Sequence, residues 1–290
     1  MKIYVPNISR TPIGGGFSFL RNFKEGLKDK VEFVDNWEDC EIVFVFGITA
    51  IDKGEIIKAV RAGKKLVLRV DNIPRKSRNR RQSPAERLRE FGEIASAVVY
   101  QSEWCKKYVE YFAGPGIIIN NGVDTSIFNP KDRTTDRKTF LYINYNDNPN
   151  KRFDEAMYWF EQEWKKNNDI KLIIAGTVPR IYLENPEYNW DLNVPATVEY
   201  VGILQKPKEV AALMKKCTYI LFPAFAEAYP NTLLEAMACG VDPVFLCEEG
   251  GAMELYLNNL RSVKTIQEMG DEYLKLFKQV CKLSKGLKLK

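Results

Sequence analysis

Short apolar runs alternate with longer amphipathic ones along most of the chain. Lys2–Pro6, Val31–Val34, Glu41–Phe46, Leu66–Val70 and Ala97–Gln101 read as buried strands. Helical spacing fills the gaps over Phe17–Leu27, Lys53–Ala62 and Glu103–Phe112. After a polar stretch from Lys131 to Lys138 the alternation resumes. Strands are expected at Phe140–Ile143, Lys171–Ala175, Thr197–Val201 and Tyr219–Phe222, with helices from Phe153 to Lys165 and over Val210–Lys216. Thr265–Leu283 closes the chain as a basic amphipathic helix. Repeated strand–helix alternation implies parallel sheets covered on both faces, which bind their ligands beyond the carboxyl ends of the strands.

One stretch combines that architecture with chemistry. The strand ending at Phe222 stops at Pro223, and a loop carrying Glu227 follows. Pro230, Asn231 and Thr232 supply helix-start signals, a proline suited to a first turn beside two capping residues. The helix runs to Ala238 and ends at Gly240, and Pro243–Leu246 reads as the next strand. A helix start beyond a parallel strand attracts anions through its first amides and its dipole. Asn231, Thr232 and Leu233 would thus offer amides to a diphosphate. Glu227 and Glu235, one before the helix and one in its early turns, would accept hydrogen bonds from vicinal hydroxyls of a sugar and a ribose. Spacing alone favours the plainer reading, a capped helix with two solvated glutamates.

The residues around the two glutamates carry more. The stretch resembles the Glu-x7-Glu signature of family 4 retaining glycosyltransferases with its tail Glu-Ala-Met-Ala-x-Gly-x-Pro-Val. Here the tail is Glu235-Ala236-Met237-Ala238-Cys239-Gly240-Val241-Asp242-Pro243-Val244, one residue longer before the proline. Ile117–Pro130 is similar to the family's Pro-Asn-Gly-Val-Asp-x-x-x-Phe-x-Pro segment, with Asn120 in place of the first proline. The resemblance implies the GT-B architecture: two facing Rossmann-like α/β domains with parallel sheets and a C-terminal crossover helix. The expected boundaries are 1–130 for an acceptor-side domain, 131–264 for a nucleotide-sugar domain, and 265–290 for a helix packing back on the first domain.

Residue by residue, the resemblance implies a donor site. Gly15 and Gly16 belong to a glycine-rich loop lining the cleft. Relatives grip the diphosphate with an arginine and a lysine six residues on; here Lys151 holds the lysine position and Tyr145 stands for the arginine, with Arg152 able to supply the missing charge. Gly176 and the turn at Ile203 and Leu204 would lie near the base. Glu227, with Ala228 and Tyr229 after it, would hold the donor sugar, and Glu235 the ribose. Asp71 ends a strand in an element like the family's Arg-x-Asp-Gly, with Asn72 for the glycine, which puts it in the cleft. Glu227, Asp71 and Lys151 are the candidate catalytic residues.

Composition narrows the chemistry. The 290 residues include no histidine, so a serine–histidine triad is impossible and any general base must be another side chain. Six cysteines show no paired spacing, which suits a reducing cytoplasm and no zinc site. No apolar run approaches the ~20 residues of a membrane span. A net charge of +5 says little, but Arg75–Arg89 is dense in arginine and lysine, with Glu86 its one acid. Arg75, Arg78, Arg80 and Arg81, next to Asp71, would favour an anionic acceptor or acceptor surface.

The resemblance thus implies a hexosyltransferase that moves sugar from a UDP- or GDP-sugar to an acceptor hydroxyl with retention, without metal or other cofactor. A glycan or lipid-linked glycan is the expected acceptor, with peripheral membrane contact. The alternatives are glucosyl transfer to modified DNA bases and a non-catalytic nucleotide-sugar-binding subunit.

Overall fold

The computed structural model describes residues 1–6, 15–48, 52–71, 73, 84–134, 138–145, 148–179, 198–284 and 286–289. The chain divides into two compact units, Met1–Gly122 with Lys264–Lys290, and Val123–Val263.

The first unit holds six strands: β1 (Lys2–Tyr4), β2 (Glu32–Val34), β3 (Ile42–Val45), β4 (Lys65–Arg69), β5 (Ala97–Tyr100) and β6 (Ile117–Ile118). They form one sheet in the order β2-β1-β3-β4-β5-β6, with every pairing parallel. Its helices are α1 (Gly15–Gly26), α2 (Lys53–Arg61), α3 (Pro84–Ile94) and α4 (Glu103–Ala113). Gly15 and Gly16 are the first turn of α1 rather than part of the loop before it.

The second unit holds β7 (Lys138–Asn144), α5 (Phe153–Lys166), β8 (Ile170–Gly176), β9 (Val198–Gly202), α6 (Pro207–Met214), β10 (Tyr219–Leu221), α7 (Asn231–Ala238), β11 (Asp242–Val244) and α8 (Gly251–Asn258). Its sheet runs β11-β10-β7-β8-β9, again wholly parallel. Chain order reverses between β7 and β10, and such switch points open a crevice at the strands' carboxyl ends. Two apolar clusters serve this unit, one around Leu141, Ile173, Ile220 and Leu233, the other around Phe140, Tyr142, Phe160 and Leu172. Since Leu141 alternates with Phe140 and Tyr142 along β7, the clusters lie on opposite faces of the sheet. Pro243 is tolerated in β11 because that strand lies at the sheet edge.

The last helix, α9 (Ile266–Cys281), returns to the first unit. A capping box starts it: Thr265 Oγ1 accepts from the Glu268 amide, and Glu268 Oε2 accepts from the Thr265 amide at 2.7 Å. It crosses α1 where Gly26 and Gly270 meet; a Cβ on Gly270 would lie 2.2 Å from the Gly26 carbonyl oxygen. That approach lets Tyr273 and Phe277 pack with Phe19, Phe23 and Phe44.

Candidate functional site

Four loops at the carboxyl ends of the second sheet carry the expected donor residues other than Gly15 and Gly16, which lie in α1 of the first unit. Beyond β7, Tyr145 is followed by a 3-10 turn over Pro149–Lys151. Asn148 caps that turn through its side chain, and Arg152, at φ 52°, carries the chain from the turn into α5. Tyr142, on β7, donates its hydroxyl to the Lys151 carbonyl at 3.1 Å. Lys151 is thereby fixed by backbone geometry while its side chain stays partly exposed.

Beyond β10, the loop bearing Glu227 is fastened on two sides. The Phe225 amide donates to the Asn150 carbonyl at 2.7 Å, tying this loop to the Lys151 turn. The Ala226 amide donates to the Glu249 carbonyl at 2.8 Å, and the Gly251 amide to the Glu227 carbonyl at 2.6 Å. Gly250, at φ 137°, fits because it lacks a side chain: a Cβ there would come within 3.0 Å of the Glu227 nitrogen. Ala226 itself sits at φ 52°, a left-handed conformation that costs a non-glycine residue roughly 1–2 kcal/mol. The surrounding hydrogen bonds hold that strained backbone one residue before Glu227.

These anchors bring Lys151 and Glu227 together, Nζ to Oε1 at 3.1 Å, although 76 positions separate them. Their side chains are 24% and 22% exposed, so solvent screens the pair less than a surface bridge. Arg152 turns another way. Its guanidinium lies 5.0 Å from the Phe225 ring, pairs with Glu155 at 3.3 Å and approaches the Cys247 sulfur at 3.7 Å. There it borders an open pocket of about 440 Å³ shared with Pro223, Phe225 and Phe245–Glu249.

Pro230 proves to be the N-cap of α7, so Asn231 and Thr232 are its first helical residues and not caps. A proline offers no side-chain cap. Glu235, one turn in, is 8% exposed. Burial and the adjacent Glu235 carboxylate both push the Tyr145 phenol above its ordinary pKa, so that it stays neutral. The Tyr229 and Leu233 side chains belong to the core; Tyr229 accepts from Asn259 Nδ2 at 3.0 Å, so these positions can offer a ligand only backbone. Gly176, at φ 98°, admits no Cβ, which would fall on the Asn144 carbonyl, and its own carbonyl accepts from the Tyr200 hydroxyl at 2.8 Å. Beyond β9, Ile203 is 52% exposed and Leu204 packs partly on the core.

In the first unit, Asp71 follows β4 with its carboxylate against Gly47, where a Cβ would lie 2.5 Å from Oδ2. Arg69, two residues earlier, was legible in the sequence only as part of a motif. Structurally it is the largest fully buried side chain described. Its guanidinium lies 3.5 Å from the Phe19 ring centroid; Nη2 donates to Asn121 Oδ1 at 2.9 Å and Nη1 to the Phe46 carbonyl at 3.3 Å. Asn121 in turn donates to Gln101, which donates to the Val70 carbonyl. Burial pulls the Arg69 pKa down, and Tyr273 and Asp71 oppose that pull. A charged residue ending an apolar strand was the available signal.

Arg75, Arg78, Arg80 and Arg81 lie outside the described residues. Among the described residues, no three acidic or cysteine side chains cluster to hold a metal ion, and no helix is long and apolar enough to cross a membrane.

A model of the family described as Glycosyl transferases group 1 matches residues 123–282. No curated protein matches the chain by sequence. Among solved structures, HepE from Anabaena in complex with UDP is 16% identical, with a TM-score of 0.68, over 95% of this chain and 95% of that one. HepE in complex with UDP-glucose gives 15% and 0.65, over 96% and 90%. A sucrose-phosphate synthase from Thermosynechococcus elongatus gives 13% and 0.61, over 97% and 96%. At such identities the likeness establishes the fold: two parallel-sheet α/β domains of the GT-B class, as the motifs had implied.

Proposed function

The chain belongs to the group 1 glycosyl transferases, and from that premise we propose that it moves a hexose from UDP- or GDP-sugar to an acceptor hydroxyl with retention of configuration. The observation that carries this reading is the Lys151–Glu227 ion pair at the switch point of the second sheet. It sets a cation for phosphate beside a carboxylate for sugar hydroxyls, in the crevice where such sheets bind ligands. The UDP and UDP-glucose complexes of HepE support a nucleotide-sugar donor.

The chemical task is to stabilise negative charge on a departing diphosphate and positive charge on the sugar. Lys151 and the start of α7 serve the diphosphate, and Glu227 orients the sugar. Glu235 takes the ribose, with Tyr145 beside it. In the retaining chemistry of the resembled family, attack and departure share one face and the leaving phosphate helps take the acceptor's proton. A chain without histidine can run that step. Asp71 and the basic run beyond it belong to the acceptor side.

The reading is tested with UDP and GDP in buffer containing EDTA. One of them, at 100 times its Kd, should add about 2.7 kcal/mol to stability, roughly 5–10 °C in Tm for units of this size. Binding that needs manganese would contradict the metal-free site. Donor hydrolysis without acceptor separates a transferase from a binding subunit, which would show none.

The acceptor is expected to be anionic, a lipid-linked or surface glycan. Neutralising Arg78, Arg80 and Arg81 together should raise its apparent KM, flatten the salt dependence and leave donor hydrolysis unchanged. Anionic vesicles and duplex DNA, compared at two salt concentrations, distinguish a lipid-linked acceptor from DNA. Wild-type behaviour of the triple variant would reduce the run to a solvated face.

A further inference from the structure

We propose that the Lys151–Glu227 ion pair makes Glu227 a discriminator between loaded and spent donor: it opposes free nucleoside diphosphate and favours the intact nucleotide sugar. The inference rests on the donor-site reading above.

Both partners have fixed backbones. The Lys151 turn and the Glu227 loop are joined by the Phe225–Asn150 hydrogen bond, and the loop is pinned again at Glu249 and Gly251. Any exchange of partners therefore happens at the side chains. An arriving diphosphate needs the ammonium that Glu227 already holds at 3.1 Å. Whether the ammonium swings across or is shared, a phosphate and a carboxylate then meet at one cation. Like charges so close are costly in a partly buried site.

An intact nucleotide sugar relieves this conflict in two ways. Its sugar hydroxyls donate to Glu227 as Lys151 turns to phosphate and replace the hydrogen bond that the ammonium gave. Its β-phosphate is esterified and lacks the last ionisable oxygen, which in a free diphosphate titrates near neutral pH. Free UDP or GDP brings the extra charge and no donor-sugar hydroxyls for Glu227. Once the sugar has left, the product faces Glu227 across Lys151, which favours its release.

The test is Glu227→Gln, which keeps the size and a hydrogen-bonding amide but removes the charge. Kd values are measured calorimetrically for UDP, UDP-glucose, GDP and GDP-mannose on wild type and variant, in metal-free buffer. Expected is about five- to tenfold tighter binding of the preferred free diphosphate in the variant. Its nucleotide sugar should bind no more tightly, so the preference for loaded donor narrows by about the same factor. In a Lys151→Met background the same change should bring no gain in diphosphate affinity. Unchanged or weaker diphosphate binding by Glu227→Gln would overturn the inference, as would an equal gain without Lys151. If wild type binds neither UDP nor GDP, the donor-site reading itself fails.

Discussion

Replacing Glu227 with alanine should abolish measurable sugar transfer without weakening nucleotide binding, whereas replacing Glu235 should weaken the nucleotide itself. The difference follows from where the two carboxylates stand. Glu227 projects from a strained, doubly fastened loop, is 22% exposed and meets Lys151. Glu235 lies inside α7, 8% exposed, with the Tyr145 phenol beside it. On our reading the first touches the sugar, where charge develops, and the second the ribose, where it does not. Loss of hydrogen bonds to a charged partner costs about 1.5–3 kcal/mol, roughly ten- to a hundredfold. Glu235→Ala should therefore raise the Kd for UDP or GDP by that factor. Glu227→Ala should lower turnover by at least as much and leave that Kd no higher. Equal losses of nucleotide affinity in both variants would refute separate roles.

Much of this arrangement was legible in the chain. Alternating apolar and amphipathic runs gave both parallel sheets, because a strand buried on two faces must be apolar throughout. The motif around Glu227 and Glu235 gave the strand, loop and helix that present them. Elements with weak patterns were missed. Neither β6, which has two residues, nor α8, which starts at a glycine behind another glycine and carries little amphipathic spacing, stands out in the pattern.

Other features could not be read because they depend on distant segments. The Lys151–Glu227 contact needs two loops tied by a backbone hydrogen bond at Asn150. The left-handed Ala226 is imposed by Glu249 to Gly251, and nothing about an alanine signals it. Pro230 looked like a first-turn proline beside two capping residues. It is the N-cap itself, which leaves the start of α7 without a side-chain cap. For an anion site that matters: a capping oxygen would compete with the ligand for first-turn amides.

Arg69 gives the second large effect, on stability. Arg69→Leu should lower the unfolding midpoint of the first unit by roughly 5–15 °C, from a loss of about 2–4 kcal/mol. The guanidinium is buried on the Phe19 ring, and it satisfies Asn121 Oδ1 and the Phe46 carbonyl at the carboxyl ends of three strands. Leucine would leave both acceptors buried without their donor and remove a charge that faces Asp71. Arg69→Lys tests whether charge alone suffices. A single ammonium cannot reproduce the planar fork that reaches two acceptors while stacking on an aromatic face, so lysine should recover less than half of the loss. Scanning calorimetry with and without UDP or GDP separates the units, because the nucleotide should shift only the second transition. Donor affinity should stay at the wild-type value in both variants, since every donor residue of the second sheet lies outside the Arg69 network. A wild-type midpoint in Arg69→Leu would mean that Asn121 and Phe46 find other donors and that the buried charge contributes nothing to the fold.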